Sequence, residues 1–362
     1  MDSEYTQRLE KIEAVLSQSL PENPDSSWLD RTFSELGSPV SPDLVRSLTR
    51  PDWDLVNRGG KRWRPLLMTL ICESLDGGDG ALPLTPLVEF CHNASLIHDD
   101  IEDNSDERRG QPAIHVRYGI DTAINGGCFL YFLPLVCINA WDASVERKNQ
   151  VFTLWGEHIR RLHLGQAMDI YWHRDFSSLP SLEEYDLMCR LKTGCLARFA
   201  AVLGVIGAMV GSAGHLRKNE GILIKKLGGA AEKLGVGFQI LDDVKNLTTG
   251  NPGKKRGDDV VEGKKSLPVL LYLHRQNDGG TLVGRCFSAA RGGGTSAPEV
   301  EELIWELTVT GVLREAEQRG QGLINEARDL FSRVSEDFPV SEVTRRLLTG
   351  LIDLMGGERS RG

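Results

Sequence analysis

Apolar residues recur at intervals of three and four along most of the chain, the spacing that lines one face of an α-helix. From Leu84 to Asp103 the positions Leu87, Phe90, Cys91, Ala94, Ile97 and Ile101 keep this rhythm, which predicts a helix with one buried stripe. The block Arg62 to Leu75 reads RWRPLLMTLICESL, with Pro65 placed as a helix-starting residue. A polar hinge, NSDERRGQP, then precedes another apolar segment from Ile120 through Ile138. The helical pattern repeats over Val151–Tyr171, Ser181–Leu203, Ile222–Leu247 and Leu267–Arg275, and again in the tail from Pro298 to Leu354. Strand-like alternation is scarce, so the pattern predicts an all-α chain whose helices bury their stripes against one another.

Three stretches depart from the pattern. Residues 1–40 carry Ser, Pro, Asn and Asp clusters around one weakly periodic run and read as an N-terminal extension. Asn277 to Pro298, NDGGTLVGRCFSAARGGGTSAP, is rich in Gly and Ser and reads as a flexible surface loop, 277–298. No strand and no Lys-Ser/Thr pair accompanies its triple glycine, so it is not a phosphate-cradling loop. Phe199 to Leu216 is uncharged and as long as a short membrane span, but Gly204, Gly207, Gly211 and Gly214 thin its apolar content. It reads as a buried helix of a bundle.

Length and composition narrow this further. At 362 residues, a prior of roughly 150 residues per domain allows two domains. The continuous periodicity favours one large helical domain over 41–362 behind the extension. The 51 acidic and 42 basic side chains leave a net charge of −9, which disfavours general nucleic-acid binding. Seven cysteines without a Cys-x-x-Cys pair read as free thiols in a reducing compartment. With no secretory pattern at the N-terminus and no lipidation cysteine at the C-terminus, the expected location is cytoplasmic, with or without attachment to an organelle membrane.

Candidate chemistry lies in two acidic helical runs and a scattered basic set. In HDDIED a helical turn puts Asp99 and Asp103 on one face with Asp100 beside them. In FQILDDVKN the pair Asp242 and Asp243 is followed by Asn246 one turn after the first. Clustered carboxylates without a His or Cys cage suit Mg²⁺, which keeps waters and shares substrate phosphates. Two such clusters suggest opposing walls of a metal site. Gly60, Lys61, Arg62 and Arg64, then Arg108, Arg109, Lys192, Lys254, Lys255 and Lys264, are cations that an acidic protein would gather for an anionic ligand.

Together GGKRWRP, DDIEDNSDERRG, GQAMD, KTG, FQILDD and GDDVVEGKKS resemble the trans-isoprenyl diphosphate synthase (polyprenyl synthetase) family. NASLIHDDIEDNSDERRGQP, GQAMDIYW and the Asn of DDVKNL look like the eukaryotic, above all fungal, geranylgeranyl diphosphate synthases. The resemblance spans Asn57 to Arg275. It implies an all-α prenyltransferase domain of about ten core helices around a deep cavity, a homodimer or higher oligomer, and isopentenyl and allylic diphosphates as substrates.

By the same resemblance, Asp99, Asp100, Asp103 and Asp242 hold Mg²⁺, about three ions per site, with Asp243 in support. Arg108, Lys192 and Lys264 bind the allylic diphosphate together with Lys254 or Lys255, between which spacing does not choose. Gly60, Lys61, Arg64, His92 and Arg109 hold isopentenyl diphosphate, and Thr193 and Gln239 flank the developing allylic cation. Asn246 stands where the commonest form of the second motif has Asp, a mark of the geranylgeranyl-forming subgroup.

Small residues at Ala94 and Ser95 predict a product longer than farnesyl. Gly126, Gly127, Phe129 and Phe132 are candidates for the pocket floor, the glycines opening space and the aromatics closing it. The rival readings are a class I terpene cyclase, a C25 synthase and a non-catalytic helical subunit.

Overall fold

The computed structural model describes residues 3–175, 177–210, 214–250, 255–275, 279–336 and 340–357. Among them the helices are α1 (Ser3–Ser19), α2 (Ser26–Phe33), α3 (Pro42–Asn57), α4 (Trp63–Ser74), α5 (Thr85–Glu102), α6 (Ile114–Tyr118), α7 (Ile120–Phe132), α8 (Leu135–Ala140) and α9 (Val145–Arg174). There follow α10 (Leu182–Cys189), α11 (Cys195–Ala208), α12 (Gly214–Leu247), α13 (Asp258–Glu262), α14 (Leu267–Arg275), α15 (Gly279–Gly293), α16 (Pro298–Val309), α17 (Val312–Glu336) and α18 (Glu342–Met355). The fold is all-α, as the periodicity predicts.

The sole described sheet is a hairpin of β1 (Glu107–Arg108) and β2 (Gln111–Pro112), paired antiparallel with Arg108 opposite Gln111. It forms in the polar hinge because Arg109 and Gly110 both take positive φ, 55° and 70°, the backbone a two-residue hairpin turn needs.

The chain divides into two compact units, residues 1–159, 199–228 and 332–351 in the first, and 160–198, 229–331 and 352–362 in the second. In the first, α4 and α5 are buried along most of their length, and Pro86 sits in the first turn of α5. The N-terminal extension is built into this unit. Helix α1 buries Ile12 and Leu16, and α2 begins at an Asp25 cap that accepts from the Trp28 amide at 2.7 Å.

The second unit has its own core, including Tyr185, Ile240, Leu270, Phe287, Val300 and Leu303. Among the described residues two apolar helical stretches are long enough to cross a membrane, Ile120–Ala140 and Leu182–Ala208. The second is 89% buried inside the protein, which is how a core helix reads.

The expected flexible loop at 277–298 is corrected by the structure. Its first two residues lie outside the described residues, but α15 occupies Gly279–Gly293 and α16 starts at Pro298. The reason is a stripe that composition conceals: Val283, Cys286, Phe287 and Ala290 fall at helical spacing and are all buried. Burial of that stripe outweighs the weak helix propensity of the glycines around it.

Candidate active site

In the first unit the acidic motif occupies the last turn of α5. Asp99 and Asp103 are half-buried and the Asp103 amide bonds the Asp99 carbonyl at 2.9 Å, so the pair stands one turn apart as expected. Asp100 faces inward, fully buried. Its carboxylate accepts from Arg108 Nε at 2.9 and 3.1 Å and from Arg108 Nη2. It therefore anchors an arginine rather than sharing the open face of its neighbours.

The hairpin that follows positions two arginines differently. Arg58 ties it to α3, donating to the carbonyls of Arg108 (3.1 Å) and Pro112 (2.9 Å) while its other nitrogens hold Asp54. Arg109 then folds back, donating to the Leu55 carbonyl at 3.0 Å. Its guanidinium lies on Gly60, where a Cβ would stand 3.2 Å from Nη2. The Gly60 φ of 150° is a second reason for glycine there. Burial, with the neighbouring Arg62, Arg108 and Arg58, pulls Arg109 down to about 10 against the opposing pull of Glu89. It remains charged at neutral pH.

Lys61 is exposed, and Arg64, buried, lies over the Trp63 ring at 4.4 Å. His92 on α5 is driven well below its ordinary value, first by burial and then by Arg64, Arg109, Arg108 and Arg62. It is thus a neutral imidazole among guanidinium groups, able to donate to a phosphate oxygen without adding charge.

The small residues upstream fare unequally. Ala94 is fully buried, and the Ser95 hydroxyl bonds the His92 carbonyl at 2.8 Å. Gly126 and Gly127 do not open space. A Cβ on Gly126 would come 2.8 Å from Asp52 Oδ1, and one on Gly127 would come 2.9 Å from His98 Cε1. The missing side chains let α7 pack tightly on its neighbours, and those neighbours fill the gap. Phe129 stacks on Phe33 of α2 at 5.8 Å, whereas Phe132 is 59% exposed.

In the second unit the helix between α10 and α11 widens to a π-turn over Arg190–Gly194, a distortion common at functional sites. It carries Lys192 and Thr193. Gly165 of α9 lets that helix touch the widened turn, since a Cβ there would meet the Lys192 amide nitrogen at 2.4 Å. One helical turn later Asp169 accepts from Lys192 Nζ at 2.6 Å. Thr193 Oγ1 donates to Gln239 Oε1 at 2.7 Å, and Gln239 Nε2 donates to Asp243 Oδ1 at 2.8 Å. The Tyr185 hydroxyl completes the line at 3.0 Å from Asp243 Oδ2. Burial, reinforced by Asp242 and opposed by Gln239, Tyr185 and Lys264, pushes Asp243 up to about 7. Asp242 is half-buried beside it.

The remaining residues divide plainly. The side-chain oxygen of buried Asn246 accepts from the Asp259 amide at 3.2 Å, which ties down the first turn of α13. Lys264 sits 2.5 Å from Glu262 and 3.9 Å from Asp259. Lys255 is exposed, and Lys254 lies outside the described residues. The sequence pattern assigns no role to Asp169 or Tyr185. Asp169 was visible within GQAMD, but Tyr185 had no local signal.

Among the described residues no group of three or more His, Cys, Asp or Glu forms a ready metal cluster. Half-buried carboxylates and no soft ligand fit a hard ion that completes its shell with water and substrate oxygens.

The description "Polyprenyl synthetase" belongs to a family model that matches residues 45–293. The geranylfarnesyl diphosphate synthase of Aeropyrum pernix is 31% identical over 323 residues, 87% of this chain and 94% of that one. A geranylgeranyl pyrophosphate synthase of the fungus Rhodocybe pseudopiperita is 37% identical over 207 residues, 56% of each chain. The crystal structure of the geranylgeranyl pyrophosphate synthase from Corynebacterium glutamicum, complexed with isoprenyl diphosphate and magnesium, superposes with a TM-score of 0.75 at 25% identity, over 97% of this chain and 98% of that one.

Proposed function

The chain belongs to the polyprenyl synthetase family, and we propose that it condenses isopentenyl diphosphate head to tail with dimethylallyl, geranyl or farnesyl diphosphate, giving mainly geranylgeranyl diphosphate. The observation that carries this reading is the unequal pairing of the arginines. Arg58, Arg62 and Arg108 each hold a carboxylate, whereas Arg109 on Gly60 has no carboxylate ion pair among the described residues. An open guanidinium beside neutral His92, Arg64 and exposed Lys61 suits a second diphosphate that must arrive and leave. A cyclase that consumes one diphosphate has no use for it.

By the family resemblance the oxygen donors assigned to Mg²⁺ are Asp99, Asp100, Asp103 and Asp242, and Asp100 also holds Arg108 in place. Bound there, the ion supplies positive charge that weakens the allylic carbon–oxygen bond. Arg108, Lys192 and Lys264 bind the allylic diphosphate and stabilise the charge it gains on leaving. Gln239, locked between Thr193 and Asp243, presents a fixed amide to the allylic carbons. Arg109, Arg64, Lys61 and His92 orient isopentenyl diphosphate so that its double bond attacks the cation. The proton then lost passes to the departed diphosphate, leaving a longer trans allylic product. Apolar walls exclude the water that would trap the cation.

We also propose that the protein is a homodimer. Val116, Ile120, Ile124 and Phe132 of α6 and α7 are 44–59% exposed, an apolar surface that a second copy would cover.

The test is purified protein with Mg²⁺, isopentenyl diphosphate and each of the three allylic diphosphates, products separated by chain length. Geranylgeranyl diphosphate as the main product, lost on chelation, is expected. Absence of condensation with every starter would reject the reading. Turnover of geranylgeranyl diphosphate alone would make the protein a cyclase, and a main product one unit longer would make it the C25 synthase.

A further inference from the structure

Arg62 lies inside the basic run GGKRWR, yet it is built differently from its neighbours. It is 3% exposed and has φ of 47°, a left-handed backbone that a non-glycine residue holds only when its surroundings impose it. It is also the first residue of the α4 cap, its carbonyl accepting from the Leu66 amide at 3.1 Å. Its conformation therefore sets the direction in which Lys61 leaves the loop and Arg64 enters the helix.

Three partners impose that conformation. Glu89 Oε1 of α5 accepts from Nη1 at 2.7 Å, and the Val56 carbonyl accepts from Nη2 at 2.6 Å. Glu13 of α1 takes Nε at 2.7 Å and approaches Nη2 at 3.4 Å. Glu89 is 2% exposed and is itself fixed by Asn93, whose amide bonds both its carboxylate (3.0 Å) and its backbone carbonyl (2.7 Å). It lies on the same helix as His92 and also supports the charge of Arg109. Without Glu13, this single buried carboxylate would have to balance Arg62 and Arg109 together.

The geometry points to Glu13 and Arg62 as positioning residues for the isopentenyl diphosphate subsite, with the N-terminal helix completing that subsite by neutralising and pinning the hinge at Arg62. Arg62, compensated twice, is not a substrate ligand. Its task is to keep Lys61 and Arg64 aimed and to leave Arg109 as the open cation. The inference rests on the substrate pair proposed above.

The experiment compares wild type, Glu13→Gln and Lys11→Ala. Lys11 provides the control because it anchors α1 elsewhere, on Asp79 at 2.8 Å. Steady-state constants are measured for both substrates, with calorimetric titration of isopentenyl diphosphate alone and a melting curve for each variant. Glu13→Gln is expected to raise KM and Kd for isopentenyl diphosphate about fivefold, the loss of one charge-assisted contact at one remove. KM for the allylic partner should stay within error, and Lys11→Ala should change neither. Unchanged isopentenyl diphosphate constants in Glu13→Gln, a parallel rise for both substrates, or an equal effect of Lys11→Ala would overturn the inference while wild-type condensation stands. A wild type that neither condenses nor binds isopentenyl diphosphate would reject the proposed function, and this inference with it.

Discussion

Ala94 shows how much one side chain can decide. It is fully buried on α5, five residues ahead of Asp99, and a phenyl ring there would have to enter the path proposed for the growing chain or displace its packed neighbours. Ala94→Phe is therefore expected to shorten the main product to farnesyl or less, read by chromatography of the dephosphorylated products. His92 gives a second expectation at this scale. The unfolded chain takes a proton on this imidazole near pH 6.5, while the folded protein resists it until well below that value. The group's penalty is absent above pH 6.5 and grows as pH falls towards the folded value. Melting temperature should thus drop between pH 7 and pH 5, and His92→Gln should make that acid limb shallower.

Some residue roles were legible in the sequence and others were not. Spacing alone put Asp99 and Asp103 on one face and singled out Arg108 and Arg109. It could not show that Asp100 turns inward to hold Arg108, because that depends on a hairpin folding back onto the helix. Gly126 and Gly127 misled for a related reason. A missing side chain reads as empty space until the partner helix is known, and here Asp52 and His98 fill it.

At the scale of elements, α15 is the clearest departure. Its glycines and serines announce a loop, yet Val283, Cys286, Phe287 and Ala290 form the buried stripe that fixes it as a helix. Phe287 is 1% exposed, so Phe287→Ala should destabilise the protein by about 3–5 kcal/mol, measurable as a lower midpoint of urea unfolding. A true surface loop would show almost no change. The π-turn at Arg190–Gly194 is the opposite case. The motif KTG marked the place, but nothing in the residues themselves announced a widened helix. It follows from α9 reaching the turn at Gly165, a tertiary contact.

For the whole molecule, helical periodicity was enough to give an all-α chain, and the described residues agree. The periodic pattern did not disclose that the N-terminal extension packs into the first unit, because α1 buries only Ile12 and Leu16 and its other ties run through Arg8, Lys11 and Glu13, which pair with distant residues. Assembly is judged at this scale too. Ile124, 44% exposed on α7, belongs to the apolar surface assigned to a second copy. Ile124→Glu should convert the proposed dimer to a monomer in light scattering, with the helical circular dichroism unchanged. A wild type that already runs as a monomer would remove that surface from the account.

Asp52 remains as a group with no use in the reaction. Buried in α3 with neither oxygen hydrogen-bonded among the described residues, it is raised well above its ordinary value by burial. Burial favours its un-ionised form, which absorbs in the infrared apart from every ionised carboxylate around it. The protein thus carries a native vibrational reporter against Gly126, and Asp52→Asn would identify its band by difference. Any ligand that shifts α3 against α7 would announce itself at that frequency without a dye or a label.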